Sequence, residues 1–192
     1  MGRPRSFDTD TALTAATGVF LARGYDGASL DELTAAMGIA RPSLYAAFGD
    51  KGGLYAAVLR RYGEAAKASM RRALQSGDTA EAAVRALLRG AVDAYAPPGG
   101  QGLGCLIATT ATTVAAGDAA VRRALAEFLA EVDALVAQAL EQRFGAAPVA
   151  VVSLITGGLY GLATRARAGA SRRQLLAIAD GTAAAVGTLM CR

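Results

Sequence analysis

Hydrogen-bond donors of several kinds are concentrated in the segment 41–51, where Arg41, Ser43, Tyr45 and Lys51 follow one another at short intervals. Arginine and lysine bind phosphate oxygens, and arginine can also donate two parallel hydrogen bonds to a guanine edge. A hydroxyl bonds a phosphate or a base. These residue types, placed on one exposed surface, have the chemistry needed to bind a nucleic acid duplex.

Two short predicted helices would position these donors. Ser29 and Glu32 form a capping-box pattern at the start of the first helix, and Gly38 stands where a helix needs a left-handed stop. Pro42 suits the first turn of the second helix, where its missing amide is not needed. Leu44 would face inward, which leaves the polar residues at the start of this helix pointing outward. This is the arrangement of a helix-turn-helix that enters the major groove.

The motifs on both sides extend this pattern. The chain carries GRPR at 2–5, FLARGY at 20–25 and YAAFGDK at 45–51. In this order and spacing, the N-terminal quarter resembles the DNA-binding domain of the TetR family of transcriptional repressors. The resemblance implies an all-α fold, with a three-helix DNA-binding domain at residues 1–50 and a ligand-binding and dimerisation domain at 51–192.

The resemblance also implies roles for single residues. Arg3 and Arg5 would form an arm that reaches the minor groove, unless they are only a disordered terminus. Arg41 and Ser43 would contact base edges, although Arg41 could equally bind phosphate. The full predicted DNA-binding set is Arg3, Arg5, Ser29, Arg41, Pro42, Ser43, Tyr45 and Lys51.

Composition limits the class of protein. Of the 192 residues, 53% are hydrophobic, with many alanines and only five prolines, which predicts about nine helices and no strands. The predicted helices cover about 8–23, two short segments within 29–48, and then 51–76, 79–95, 103–115, 117–144, 148–168 and 172–190.

The sequence contains no histidine and two cysteines, and it has no phosphate-binding loop or nucleophile elbow. We therefore expect a protein that is not an enzyme and needs no metal or cofactor. The net charge of +4 permits contact with nucleic acid without establishing it. No apolar run reaches membrane-spanning length and no signal core follows the N-terminus, which predicts a soluble cytoplasmic protein.

The last two helices are the predicted homodimer interface, because their apolar residues recur at three- and four-residue steps beside glycines. The alternative is that these faces pack only inside one chain. The predicted interface residues are Val152, Ile155, Leu159, Leu162, Leu175, Ile178, Thr182 and Val186.

A small-molecule effector is implied by the resemblance, and binding it would release the DNA. No charged residue is clearly placed in the predicted core, so we expect a neutral or weakly polar effector. The predicted pocket residues, several of which would serve equally as core, are Met70, Tyr95, Leu106, Thr109, Thr110, Thr113, Phe128 and Tyr160.

Cys105 permits a different sensing chemistry. It lies at the start of the predicted sixth helix, where the helix dipole favours a reactive thiolate. The chain would then be a redox- or electrophile-sensing repressor, whereas a buried small apolar side chain is the simpler interpretation. The sequence is also compatible with an activator and, from a different class, with a helical small-molecule-binding protein that lacks specific DNA binding.

Overall fold

The computed structural model describes residues 7–100 and 102–191, without the side chains of Thr110 and Ala120. This part of the chain is helical and contains no strand, which confirms the all-α prediction. One π-helix (Ile107–Ala111) precedes α6, and the nine α-helices are α1 (Thr9–Gly27), α2 (Leu30–Met37), α3 (Arg41–Phe48), α4 (Lys51–Leu74), α5 (Ala80–Tyr95), α6 (Thr112–Gly117), α7 (Ala119–Phe144), α8 (Val149–Arg167) and α9 (Arg172–Met190).

The observed bounds lie close to the predicted ones, with a difference at the sixth helix. The segment 102–105 is irregular, and the chain then forms the π-helix before α6. A π-turn widens the helix by one residue, and it is common where a helix must fit a crowded neighbour or a functional site. Near the end of α1, Gly24 has a φ of +73° that interrupts the helical geometry, as the predicted break there requires.

The chain divides into an N-terminal unit (Met1–Glu64) and a C-terminal unit (Ala65–Arg192). The division lies inside α4, later than the boundary predicted at residue 50. The first half of α4 belongs to the N-terminal unit because Leu54, Tyr55 and Val58 are fully buried in it.

Aromatic packing forms the centre of the N-terminal unit. Tyr55 of α4 lies 4.9 Å from both the Phe20 and the Tyr25 rings, measured between ring centroids. Leu33 and Leu44 bring α2 and α3 onto the same core. Large aromatic side chains bury much apolar area each, so Phe20 and Tyr55 contribute strongly to this core.

In the C-terminal unit, α5, α8 and α9 pack against one another. Their shared core contains Leu88, Ile155 and Leu175, each fully buried. At its edge, Arg89 donates two hydrogen bonds of 2.8 Å to Asp180, which joins α5 to α9. The hydrogen bonds and the charge of Arg89 lower the pKa of Asp180, although burial opposes the shift.

Most residues predicted for the dimer interface belong to this core instead. The structure buries Val152, Ile155, Leu159, Leu162, Leu175 and Val186 within one chain, so they cannot form a surface for a second copy. Ile178 and Thr182 are half-buried, and Thr182 packs beside Gly158 of α8. The prediction was wrong for the buried residues because apolar periodicity shows that a face is covered, without showing which element covers it.

Helix α8 is long and apolar enough, by length and composition alone, to cross a membrane. Most of its large apolar side chains are buried in the C-terminal unit, where α8 packs against α5 and α9, and only Val149 and Leu154 among them are exposed. The glycines at 102 and 104 lie against its last turns, where a Cβ at either position would come within 2.6 Å of an α8 carbonyl oxygen. The segment that carries these two glycines therefore packs directly on α8.

Candidate functional site

The helix-turn-helix forms as the sequence predicts. The Ser29 hydroxyl accepts a hydrogen bond from the Glu32 amide at 3.1 Å, and the Glu32 carboxylate accepts one from the Ser29 amide at 3.2 Å. The bond from the Ser29 amide lowers the pKa of Glu32. Gly38 ends α2 in the left-handed conformation (φ +64°), and Pro42 lies in the first turn of α3. These local signals fix where each helix begins and ends.

The first turn of α3 presents its polar side chains outward. Arg41 is exposed, Ser43 is half-buried, and Tyr45 has 47% of its surface exposed. Leu44, between them, is fully buried and anchors the helix. The first turn contains no acidic residue, so the positive end of the α3 dipole and Arg41 face the same solvent. This surface can accept an anionic, hydrogen-bonding partner.

Arg41 is held by the carboxylate of Asp31, a contact that no pattern in the sequence predicted. Its Nη2 and Nε atoms donate to the Asp31 Oδ1 atom at 2.7 and 3.1 Å. Both side chains are more than half exposed, so the pair stabilises the fold by less than about 1 kcal/mol. Asp31 orients the guanidinium and also competes with any other anion for it.

Lys51 has a defined position as well. Its Nζ atom lies 4.7 Å from the centroid of the Tyr25 ring, within range of a cation–π interaction. Lys51 is the first residue of α4, and Asp50 caps this helix, because its Oδ1 atom accepts a hydrogen bond of 2.8 Å from the Gly53 amide. The Tyr25 ring therefore helps to fix the position of the Lys51 ammonium group.

The structure thus places Ser29, Arg41, Pro42, Ser43, Tyr45 and Lys51 on or beside the helix-turn-helix. The predicted arm residues Arg3 and Arg5 lie outside the described residues. The contacts of Asp31 with Arg41 and of Tyr25 with Lys51 were not predicted from the sequence, because each pair joins residues of different helices.

The predicted effector pocket is not supported as a set. Thr113 is exposed, so it cannot line an interior pocket, and Tyr95 and Leu106 are buried core residues. The Thr109 hydroxyl donates to the Cys105 carbonyl at 2.6 Å, so it is used by its own helix. Met70, Phe128 and Tyr160 are half-buried, and the side chain of Thr110 is outside the described part.

Two groups near the π-helix are buried. Cys105 is only 6% exposed, which fits the interpretation as a small apolar side chain. The Tyr160 hydroxyl is buried and has no hydrogen-bond partner among the described residues. Burial raises the pKa of Tyr160 well above its ordinary value, and the nearby Asp133 and Cys105 add to the shift.

The expectation that no charged residue is buried was also wrong. Lys67, on the second half of α4, is buried and donates a short hydrogen bond to Glu131 of α7. The sequence could not indicate this pair, because the two residues are 64 positions apart.

The sequence of the chain is similar to those of known transcriptional regulators. Residues 12–58 match the family model described as bacterial regulatory proteins, tetR family. The HTH-type transcriptional repressor BdcR of Escherichia coli (strain K12) is 29% identical over 189 residues, which cover 98% of this chain and 94% of that protein. The HTH-type transcriptional repressor ComR of the same organism is 49% identical over 61 residues, 32% of this chain and 29% of that protein.

A solved structure extends the similarity to almost the whole chain. It is a cysteine mutant of the TetR family transcriptional regulator CifR, complexed with 26bp double-strand operator DNA. The two chains share 36% sequence identity and superpose with a TM-score of 0.83, covering 95% of this chain and 99% of that one. Similarity at this level spans both the helix-turn-helix and the C-terminal helices.

Proposed function

The chain belongs to the TetR family of bacterial transcriptional regulators, and from this premise we propose that it is a dimeric repressor released from operator DNA by a small molecule. One observation carries the proposal. Arg41 and Tyr45 are exposed and Ser43 is half-buried in the first turns of α3, which the buried Leu44 anchors, and the chain is 36% identical to a regulator whose structure was solved with its operator DNA.

On DNA, α3 enters the major groove with its N-terminus leading. Arg41 and Ser43 contact base edges, while Tyr45 and Lys51 donate to phosphates. The amide end of α2 at Ser29 faces a further phosphate. Arg41 must leave Asp31 to do this, at small cost because both side chains are exposed.

Tight binding needs two DNA-binding units, one from each copy of the chain. We assign the dimer interface to the exposed faces of α8 and α9. On α8 this face contains the exposed Leu154 and Gly157 and the half-buried Gly161, and on α9 it contains the exposed Gly181 and Ala185. Small residues allow helices of two copies to approach closely, and residues three and four apart share one face. This replaces the buried residues of the sequence-based prediction.

The protein acts without enzymatic chemistry, in the cytoplasm, where its DNA is. The relatives that it matches are transcription regulators. The similarity to two named repressors favours repression over activation, although an activator would have the same DNA-binding unit.

The proposal is tested by fluorescence anisotropy of the purified protein with DNA from upstream of its own gene, with scrambled DNA as the control. We expect binding that distinguishes the two duplexes and survives moderate salt, because base contacts add to phosphate contacts. Arg41→Ala should weaken binding to the specific duplex by about 10- to 100-fold. Arg72→Ala, at an exposed position of the C-terminal unit, should leave binding unchanged.

Equal, salt-sensitive binding to both duplexes, followed by failure of a random-sequence selection to enrich any site, would exclude specific operator recognition.

A second substitution tests the role assigned to Asp31. Because Asp31 competes for Arg41 and adds a negative charge beside the DNA surface, Asp31→Asn should raise operator affinity by a few fold. The same anisotropy titration measures it, at low and at moderate salt. Lower affinity in the Asp31→Asn protein would show instead that Asp31 is needed to position Arg41.

A further inference from the structure

A groove of about 440 Å³ lies within the C-terminal unit, between the last turns of α4 and the second half of α7. Its volume is within the range of small-molecule sites. Leu74 and Leu135 give it a buried apolar floor. Its walls are polar, with Gln75 on one side and Gln138 and Gln142 on the other.

The groove contains a buried positive charge. The Lys67 side chain is 9% exposed, and its ammonium group is paired with Glu131, whose side chain is 56% exposed. A buried ammonium group requires a negative partner. Glu131, however, can turn into water at little cost, because it is already more than half hydrated. Another carboxylate could therefore take its place on Lys67.

A second cation lies beside the first. Arg71 is one helical turn beyond Lys67, so both side chains are on the groove face of α4. Among the described residues, no carboxylate pairs with Arg71. Arg143 is different, because it donates to the Leu74 and Gly77 carbonyl oxygens at 2.5 Å and so caps the end of α4. Arg71 is thus the available guanidinium, and its planar fork matches a carboxylate.

We propose that this groove is the effector site and that it binds an organic carboxylate with a short apolar body. The carboxylate pairs with Arg71 and replaces Glu131 on Lys67, while the apolar body lies on Leu74 and Leu135. This inference rests on the proposed function, since it assigns the site and chemical class of the releasing ligand. It also replaces the neutral effector expected from the sequence.

Helix α4 connects this site to the DNA-binding unit. The helix carries Lys67 and Arg71 in the C-terminal unit, and Lys51 and Leu54 in the N-terminal unit. A ligand that draws the end of α4 towards α7 would bind the DNA-free conformation more tightly than the DNA-bound one. Such differential affinity is the requirement for release.

The direct test is thermal unfolding of the full-length protein in the presence of octanoate or benzoate, compared with octanamide or benzamide. The amides have the same shape without the charge. We expect the carboxylates, but not the amides, to raise the unfolding temperature, because they bind the folded state. Arg71→Gln should weaken carboxylate binding by about tenfold or more. Arg72→Gln is the matched control and should bind as the wild type does, since Arg72 does not line the groove.

A second variant and a second measurement complete the test. Lys67→Met keeps the volume of a buried side chain without its charge, so it should fold and lose carboxylate binding. In the anisotropy assay, the carboxylates should release the wild-type protein and fail to release Arg71→Gln. Equal shifts with acids and amides, no shift with any of the four compounds, or unchanged binding in Arg71→Gln would each overturn the groove assignment. Failure of the protein to bind any operator would instead overturn the proposed function, whatever the thermal shifts.

Discussion

Gly53→Ala is expected to destabilise the DNA-binding unit by about 3 kcal/mol. This is the upper end of the usual loss of stability when an extra carbon atom is inserted into a well-packed region. A Cβ at Gly53 would lie 1.9 Å from the Phe48 carbonyl oxygen and 3.1 Å from its carbon. Both atoms belong to the backbone at the end of α3, so no side chain can rotate away. The first turn of α4 would have to move away from α3, taking Lys51 and Tyr55 with it.

Urea unfolding followed by circular dichroism measures the loss of stability, and operator anisotropy measures its effect on binding. Gly18→Ala is the matched control, because Gly18 lies within α1 and a Cβ there meets no atom within 4 Å. That substitution should raise stability by up to about 1 kcal/mol through helix propensity. If Gly53→Ala unfolded at the wild-type urea concentration, the close approach of α3 and α4 would be wrong.

Gly157→Glu is expected to convert the dimer into folded monomers and to weaken operator binding by about a hundredfold or more. Gly157 is exposed on α8, and a Cβ there meets nothing within 4 Å in one chain, so a larger side chain fits the monomer. In a dimer formed by this face, the substitution would bury an unpaired charge from each copy. A monomer has one DNA-binding unit, so it loses the gain in affinity that comes from binding two half-sites at the same time.

Sedimentation measures the mass, and anisotropy measures the affinity for the same operator. Gly90→Glu makes the same chemical change at an exposed position of α5 where a Cβ also meets nothing. That control should stay dimeric and bind DNA normally. A dimeric Gly157→Glu protein with wild-type affinity would place the interface on another face.

Much of the DNA-binding unit was determined by the sequence itself. The capping box of Ser29 and Glu32, the left-handed Gly38 and the early Pro42 all formed as predicted. The bounds of α9 were also predicted, and the structure adds that Ser171 caps its N-terminus. These features depend on backbone geometry and on hydrogen bonds over three or four residues, so neighbouring residues are sufficient to specify them.

Only the tertiary structure decided which neighbour each helix face meets. Apolar spacing showed that Ile155 and Leu175 are covered, but it could not distinguish a partner helix of the same chain from a second copy. Likewise, no local sequence pattern predicts that Lys67 pairs with Glu131. Nor does one predict that the π-helix is followed by an α6 on which Thr113 is exposed to solvent. Such contacts depend on how distant helices pack, and packing is set by the shapes and charges of all the surrounding side chains together.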